Sequence, residues 1–475
     1  MRAVLAALFF ALGACAHAVP EKTLDVEQAS SALEAVVAAR AEELQIPGIA
    51  YAVVRDGAIL SEGEVTTDGG PALTPDTPLR FASVTKAFTA VLLMRAVEQG
   101  KLSLDDSVSR WNGDFSDRPQ ITLRHIAAHV SEGEVGREYV YSTTRYSKLG
   151  DILAQAYGAR SYEDALRREL IAPLGMTWRE SPHLGAHAGL VASVRDLSRF
   201  VAALQTNEVI SERSFLTMTT PYRGPNGLSP VGVGWFSQTI AGEPVVWSFG
   251  QDDPDHSSAL VLLLPKRNIA LIMLANTDEL SNPFRLMMGD ISKSPFATAF
   301  LDAFAPEVGI GVTARDRAIS DLLISINRED MAKASVQFAG LDTGETPTDP
   351  DMVLHFAAGI VAREETSAFA RQLDSVVIQH HPANRWALLL SGGMHARLGE
   401  TTLATQRYGK LLALQNQEQD GLRTLFRAWA YQGLAALHID DAARARTYIE
   451  EGLATGVTGG TRDGLLALRG KVAQP

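Results

Sequence analysis

The feature that most constrains the fold of this chain is a short apolar segment, Phe88 to Val97, that ends shortly before Gly100. Nearly every position in the segment is apolar, so no side of a helix formed by it could face water. The segment therefore predicts a helix that other elements cover on all sides. A serine and a lysine three residues apart, Ser83 and Lys86, stand just before it.

The spacing of Ser83 and Lys86 has a chemical meaning if this stretch is helical. Residues three apart lie on one face of a helix, one turn from each other. A hydroxyl beside an amine that can lose its proton is the minimum for a serine nucleophile activated without histidine. A buried helix start can also direct backbone N–H groups at a developing negative charge. Because a chain of this length contains about one such pair by chance, the interpretation depends on the surrounding sequence.

Composition restricts the classes of partner and the number of domains. The chain has 475 residues, enough for two or three domains, and its hydrophobic content of 46% and charged content of 21% are typical of a globular protein. The net charge of -12 makes nucleic acid an unfavourable partner and does not favour an anionic membrane surface.

Residues 1–18 predict an export signal. A positive start is followed by an apolar run, Ala3 to Ala14, that is too short to span a bilayer as a helix. Two processing routes stay open. Cleavage after Ala18 would follow a small-x-small site, whereas Cys15, the only cysteine, follows residues that resemble the lipidation site of bacterial lipoproteins. Both routes predict an exported, periplasmic protein, and the second adds a lipid anchor at Cys15.

Residues 19–304 predict a mixed domain with an antiparallel sheet. The strand-like runs Gly48–Val54 and Ala58–Val65 are joined by an Asp56-Gly57 turn, and helical patterns fill the middle of the region. Strand-like runs return near its end, at Val231–Ile240, Val245–Phe249, Ser258–Pro265 and Asn268–Ala275. We therefore predict an α+β fold in which a sheet joins the two ends of the domain, with helices flanking it and a helical subdomain inserted.

Residues 305–475 predict an all-α domain. A loose repeat resembles the small-and-large pattern of tetratricopeptide repeats, and its positions are Gly392, Gly399, Ala404, Tyr408 and Leu412. A second copy follows it and a weaker third copy precedes it. Stacked helix pairs of that kind offer a concave surface to a protein partner. A plain helical bundle is the alternative.

The stretch from Thr77 to Lys86 resembles the active-site segment of serine β-lactamases and penicillin-binding proteins, most of all the branch of class C β-lactamases and esterases. The likeness covers roughly residues 25–280 and keeps the order of that branch. It includes Pro47-Gly48 and the hairpin after it, Gly100 to Asp106, Ile121 to His125, Pro173 to Met176 and Ala188 to Leu190.

The resemblance implies catalytic roles for three residues. Ser83 would be the nucleophile, and Lys86 and Tyr141 would together accept its proton, for which we expect lowered pKa values. The backbone N–H groups of Ser83 and Asp252 would form the oxyanion hole. The family implies no cofactor and no metal.

Two of the three motifs depart from the family pattern. The second motif is Tyr-x-Asn in this branch, and its asparagine orients the lysine and the acyl chain. In the matching stretch Thr143 stands at the asparagine position, where it would contact the substrate. The third motif, a cation followed by small residues, is matched by Phe249-Gly250-Gln251-Asp252, where the residues other than Asp252 would contact the substrate. The loss of the cation at Phe249 disfavours an anionic substrate such as a β-lactam or a D-alanyl peptide.

Three polar features have more than one interpretation. His125 and His129 stand four apart, as in a metal pair, but packing or capping fits better because a third ligand is lacking. Asp252, Asp253, Asp255 and His256 form an acidic stretch that is either a cation site or a solvated loop. Glu132 replaces a glycine usual in the family and lies either at the surface or at the rim of the cleft.

These observations predict an exported serine hydrolase that forms an acyl-enzyme at Ser83 and acts on a small-molecule or peptide substrate, a neutral ester or amide rather than a β-lactam. The alternative is a non-catalytic module that keeps the fold for binding, with the C-terminal helices contacting a protein partner.

Overall fold

The computed structural model describes residues 24–472 apart from residues 68, 178, 180, 226, 253–256, 342–356, 360, 418–423 and 458. The predicted export signal with Cys15, and Asp253, Asp255 and His256 of the acidic stretch, lie outside the described residues. Within the described residues, no helix combines the length and apolar character needed to cross a membrane.

The centre of the fold is a six-stranded antiparallel sheet, which confirms the predicted α+β class. Its strand order is β2-β1-β10-β9-β8-β7, so the first hairpin lies beside the last strand. The strands are β1 Gly48–Arg55, β2 Ala58–Thr66, β7 Phe236–Ile240, β8 Glu243–Asp252, β9 Ser257–Leu264 and β10 Ile269–Ala275. Short two-stranded sheets pair β3 (Leu79–Arg80) with β4 (Val191–Ala192) and β5 (Arg223–Gly224) with β6 (Gly227–Leu228).

The turn of the first hairpin forms where the sequence predicts it. Asp56 and Gly57 both have positive φ, 51° and 80°, the conformation that a tight two-residue hairpin needs. The strand predicted from Val231 begins only at Phe236. Gly234 has φ 73° and Gly232 N–H bonds to the Trp235 carbonyl, so residues 231–235 form a turn whose apolar side chains are buried without belonging to a strand.

Helices cover both faces of the sheet. Of these, α2 packs against one face and is buried along almost its whole length, as its apolar sequence predicts, whereas α1 and α9 cover the opposite face. The helices up to residue 339 are α1 Val26–Leu44, α2 Thr85–Glu98, α3 Leu123–Ala127, α4 Thr143–Ser147, α5 Leu149–Tyr157, α6 Tyr162–Leu166, α7 Val194–Gln205, α8 Glu212–Thr219, α9 Pro295–Phe304, α10 Pro306–Gly309, α11 Ala314–Asn327 and α12 Met331–Ala339.

Among the described residues after residue 366 there are six further helices, here called the C-terminal helices. They are Ser367–His380, Arg385–Arg397, Thr401–Gln417, Thr424–Leu437, Ala442–Ala454 and Gly459–Val472. Consecutive members contact one another, and the apolar core on the α1 face of the sheet continues through α11 and α12 into the first two of them. The boundary at residue 305 therefore stays a prediction.

Tyr408 shows why small and large residues alternate in the C-terminal helices. Its ring lies between Gly392 and Gly433, where added Cβ atoms would come within 2.6 Å and 2.5 Å of the ring. Glycine at both positions lets two neighbouring helices close on one aromatic ring. The assignment to tetratricopeptide repeats stays a prediction.

Candidate active site

The Ser83 backbone is held in a strained turn at the start of α2. A 3-10 turn, Ala82–Val84, leads directly into the helix, and Ala82 has φ 48°, a conformation that costs energy for a residue with a Cβ. The Thr85 hydroxyl donates to the Ala82 carbonyl at 2.7 Å and accepts from the Leu190 N–H at 3.1 Å. These contacts fix the direction in which the Ser83 side chain points, and Ser83 stays partly exposed.

The Lys86 amine lies against the Ser83 hydroxyl. Nζ is 2.8 Å from Ser83 Oγ and 2.9 Å from the His187 carbonyl oxygen, and only 2% of Lys86 is exposed. Burial lowers the pKa of Lys86 from 10.5 to about 7, because a charged amine is poorly stabilised away from water. A substantial fraction of Lys86 is therefore neutral near pH 7 and can accept a proton from Ser83.

The Tyr141 hydroxyl lies near the Ser83 hydroxyl, which acts to lower the pKa of Tyr141, and Lys86 Nζ lies 4.9 Å from the centre of the Tyr141 ring. The structure therefore brings together the three predicted catalytic residues. The expected lowering of the pKa of Tyr141 is wrong. Burial raises it to about 12, and the nearby Ser83 hydroxyl offsets this only in part. Tyr141 is therefore a protonated phenol near pH 7, and of the two groups only Lys86 has a pKa near 7.

His129 packs against the ring of Tyr141. Its ring stacks on the Tyr141 ring at 4.5 Å, and its Nδ1 accepts from the Ser142 N–H at 3.1 Å. Burial, with the nearby charge of Lys86, holds the pKa of His129 well below its usual value. His125 instead caps α3 together with Thr122. The two histidines thus pack and cap, and among the described residues no group of three or more metal-binding side chains is close enough to share an ion.

Glu132 and Arg145 form a buried ion pair next to Ser142, which the sequence did not predict. Glu132 Oε1 accepts from Arg145 Nε at 3.1 Å and from Ser142 Oγ at 3.0 Å, and the Arg145 guanidinium lies over the Phe115 ring. Glu132 is 8% exposed. The surface position considered from the sequence is wrong, because the carboxylate is buried against Arg145. The position at the cleft rim stays a prediction.

Phe249 lies on the face of the sheet away from Ser83, in an aromatic cluster. It is 3% exposed, and its ring centre is 5.8 Å from that of Tyr141 and 5.4 Å from that of Phe236. The side chain thus supports the Tyr141 ring with apolar contact and supplies no charge.

Strand β8 packs directly against the Ser83 turn at Gly250. A Cβ on Gly250 would lie 2.2 Å from the Phe81 carbonyl oxygen and 3.0 Å from the Ser83 nitrogen, so only glycine allows this approach. The Ser281 hydroxyl donates to the Gly250 carbonyl, and the Gln251 amide donates to Asn282 at 3.3 Å. These contacts fix the path of the strand beside Ser83.

Asp252 lies two residues beyond Gly250 and is the last residue of β8. At about 3.3 Å per residue, this places it roughly 7 Å further along the strand than the point of contact with Ser83. The oxyanion hole formed by the Ser83 and Asp252 N–H groups therefore stays a prediction.

Lys86 is oriented by a main-chain group where the family uses an asparagine. Thr143 is exposed at the start of α4, and among the hydrogen bonds of the described residues none joins its side chain to Lys86. The His187 carbonyl contacts the amine instead. Gly189, with φ 100°, shapes this loop, because a Cβ there would lie 2.3 Å from the His183 carbonyl oxygen. The stretch Ala188 to Leu190 was noted in the sequence, but the contact of the preceding residue, His187, with Lys86 depends on folding across about a hundred residues.

The Beta-lactamase family model matches residues 33–287, which is more than half of the chain. Among curated proteins, Esterase EstB of Burkholderia gladioli is 30% identical over 202 residues, covering 38% of this chain and 50% of the esterase. Protein flp of Staphylococcus aureus (strain MW2) is 22% identical over 304 residues, covering 49% of this chain and 60% of that protein. The chain thus spans about half the length of the curated relatives it matches.

Among solved structures, the octameric penicillin-binding protein homologue from Pyrococcus abyssi is 20% identical with a TM-score of 0.48, covering 59% of this chain and 77% of that one. From the family match over residues 33–287, together with the fold built around Ser83, we conclude that this chain belongs to the β-lactamase family of serine hydrolases.

Proposed function

We propose that the protein is a hydrolase that acts through an acyl-enzyme at Ser83, with a neutral ester or amide as its substrate. The observation that carries the proposal is the 2.8 Å contact between Ser83 Oγ and a Lys86 amine whose pKa is lowered to about 7. Such an amine is neutral often enough near pH 7 to act as a base, and it touches the proton it would remove.

The reaction would proceed in two steps, acylation of Ser83 and hydrolysis of the acyl-enzyme. Ser83 Oγ attacks the substrate carbonyl carbon while Lys86 accepts the hydroxyl proton, and the backbone N–H groups of Ser83 and Asp252 stabilise the oxyanion. The leaving group takes a proton from Tyr141, which regains one from Lys86. In the second step, water attacks the acyl carbon and gives a proton to Lys86. As the ester bond breaks, Lys86 passes this proton to Ser83 Oγ, so that the acid and free Ser83 are released.

The preference for a neutral substrate rests on Phe249. The family places a cation at this position, whereas here a buried ring faces an aromatic cluster and offers no charge to a substrate carboxylate. The name of the relative Esterase EstB supports an ester in particular. Export to the periplasm, predicted from residues 1–18, is a further part of the proposal.

A fluorophosphonate probe, which reacts with activated serines, tests this proposal. We expect stoichiometric labelling of the protein and none of Ser83→Ala. Turnover of a p-nitrophenyl ester without turnover of nitrocefin would support the substrate preference, and rapid nitrocefin hydrolysis would contradict it. If labelling did not exceed that of Ser83→Ala, the non-catalytic binding module would be the better account.

A further inference from the structure

The residues that precede Tyr141 alternate between two parts of the molecule. Tyr139 and Tyr141 face the catalytic domain, where the Tyr139 hydroxyl donates to the Met287 carbonyl at 2.6 Å and Tyr141 contacts Ser83 and Lys86. Glu138 and Val140 face the C-terminal helices. Residues 133–142, here called the Tyr141 segment, therefore lie between the two parts, with a tyrosine of the active site on one side.

Glu138 forms a buried ion pair with the C-terminal helices. Its Oε1 accepts from Arg385 Nη1 at 2.6 Å, and the Glu138 side chain is 4% exposed. Arg385 is the first residue of the Arg385–Arg397 helix, and its guanidinium lies over the Phe426 ring at 5.0 Å. Because Glu138 is buried and Arg385, although 26% exposed, packs on a ring, water screens this pair less than it screens a surface ion pair.

Val140 adds an apolar contact between the Tyr141 segment and the C-terminal helices. It packs against a small cluster in the C-terminal helices formed by Leu425, Ala428, Val457 and Leu465. Gly133, at the other end of the Tyr141 segment, would place a Cβ 3.2 Å from Leu425. The Gly459–Val472 helix also contacts α4, which begins directly after the segment.

The Tyr141 segment is held by individual contacts and not by regular secondary structure. No helix or strand is formed between α3 and α4, and two glycines within the segment, Gly133 and Gly136, have positive φ. A cavity of about 1650 Å³ lies beside Glu138 and Tyr139 and is also lined by Trp386 and Phe426. The ion pair and the Val140 cluster therefore restrain the segment from the side of the C-terminal helices, whereas the bond of Tyr139 to Met287 and the stacking of Tyr141 on His129 restrain it from the catalytic side.

We propose that the C-terminal helices hold Tyr141 in its place beside Ser83, with Arg385 and Glu138 as positioning residues for the reaction. This inference rests on the proposed function, since it assigns the helices a part in acylation. A displacement of about 1 Å at a catalytic group can cost about a hundredfold in rate. The helices would thus be required for full activity even if no separate partner binds to them.

The test uses Arg385→Ala in the full chain, with Arg371→Ala as a matched control. Arg371 forms a 2.6 Å ion pair with Glu400 among the C-terminal helices, away from the Tyr141 segment. We expect Arg385→Ala to slow fluorophosphonate labelling of Ser83 about tenfold to a hundredfold, Arg385→Lys to retain most of the rate, and the control to stay within about twofold. In a Tyr141→Phe background, Arg385→Ala should have little further effect, because both changes act on one group.

Hydrogen exchange of the backbone in residues 137–146 provides a readout that needs no activity. We expect faster exchange there in Arg385→Ala and in Glu138→Gln, which removes the same charge pair from the other side, and no change in Arg371→Ala. Unchanged labelling and unchanged exchange in both pair variants would overturn the inference. If the unaltered protein were never labelled at Ser83, the proposed function would fail, whereas the exchange measurement would still decide whether the helices restrain the segment. If Arg385→Ala does not fold, Glu138→Gln and Val140→Ala test the same contact.

Discussion

Replacing Lys86 by methionine should abolish acylation and at the same time make the fold more stable. The amine lies 2% exposed in an apolar surrounding, and this burial is what lowers its pKa from 10.5 to about 7. The same shift is a cost to folding, because each unit of pKa change corresponds to about 1.4 kcal/mol of differential stability. A change from 10.5 to about 7 therefore corresponds to about 5 kcal/mol when the amine is charged in both states.

The direction of the pH dependence follows from the lowered pKa. Below about pH 7 the amine is protonated in the folded and the unfolded chain, and the folded state is destabilised by the full free energy of burying the charged amine. Between about pH 7 and 10.5 the unfolded chain keeps a proton that the folded chain has released, so the stability of the unaltered protein rises with pH. The part of the gain that comes from removing the buried charge should be full below pH 7, shrink by about 1.4 kcal/mol per pH unit above it, and vanish near pH 10.5.

Methionine also loses the hydrogen bonds of the amine to Ser83 and to the His187 carbonyl, at a pH-independent cost of about 1–3 kcal/mol. The expected net gain at pH 6 is therefore about 2–4 kcal/mol. Urea unfolding at pH 6, 7, 8 and 9 measures the difference between the two proteins. Lys333→Met, which removes an exposed lysine, gives the baseline for the same replacement. A stability difference for Lys86→Met that stayed constant from pH 6 to 9 would refute the argument that burial sets the pKa of Lys86.

Three further predictions concern the active site and its support. The rate of Ser83 labelling should rise about tenfold per pH unit up to about pH 7 and level off above it, because the neutral amine is the base; a rate independent of pH from 5 to 9 would contradict this. Tyr141→Phe should lower the labelling rate by about tenfold to a hundredfold and leave the inflection near pH 7 in place, whereas loss of the inflection would make Tyr141 the base. Glu132→Gln removes the charge that pairs with buried Arg145 and should lower the free energy of unfolding by about 3–5 kcal/mol. As a control, Asp114→Asn breaks the exposed pair with Lys148 and should lower it by less than about 1 kcal/mol.

The parts of the site that the sequence predicts well are local or follow a known order of motifs. Ser83 and Lys86 are three residues apart on one turn, so their contact needs only local structure. Tyr141 is identified because the surrounding motifs keep the order of the family. The two-residue turn at Asp56-Gly57 and the buried character of α2 likewise follow from nearby residues.

The parts that the sequence does not predict depend on contacts between distant segments. The pKa of Tyr141 is raised because residues far from it in the chain, Phe249 among them, enclose its ring. The ion pair of Glu132 and Arg145 spans an irregular stretch in which no periodicity indicates which side chains meet. The turn at residues 231–235 has a strand-like apolar composition because its side chains are buried, and burial alone does not distinguish a strand from a buried turn.

The central claim is that Ser83 is an active nucleophile with Lys86 as its base. Intact-mass spectrometry of the protein after reaction with a fluorophosphonate, followed by peptide mapping, measures this directly. We expect one added phosphonyl group per chain, located on Ser83, and a rate that falls by more than about a thousandfold in Lys86→Met. An unmodified Ser83 in the folded protein, or labelling that proceeds at the same rate without Lys86, would contradict the account.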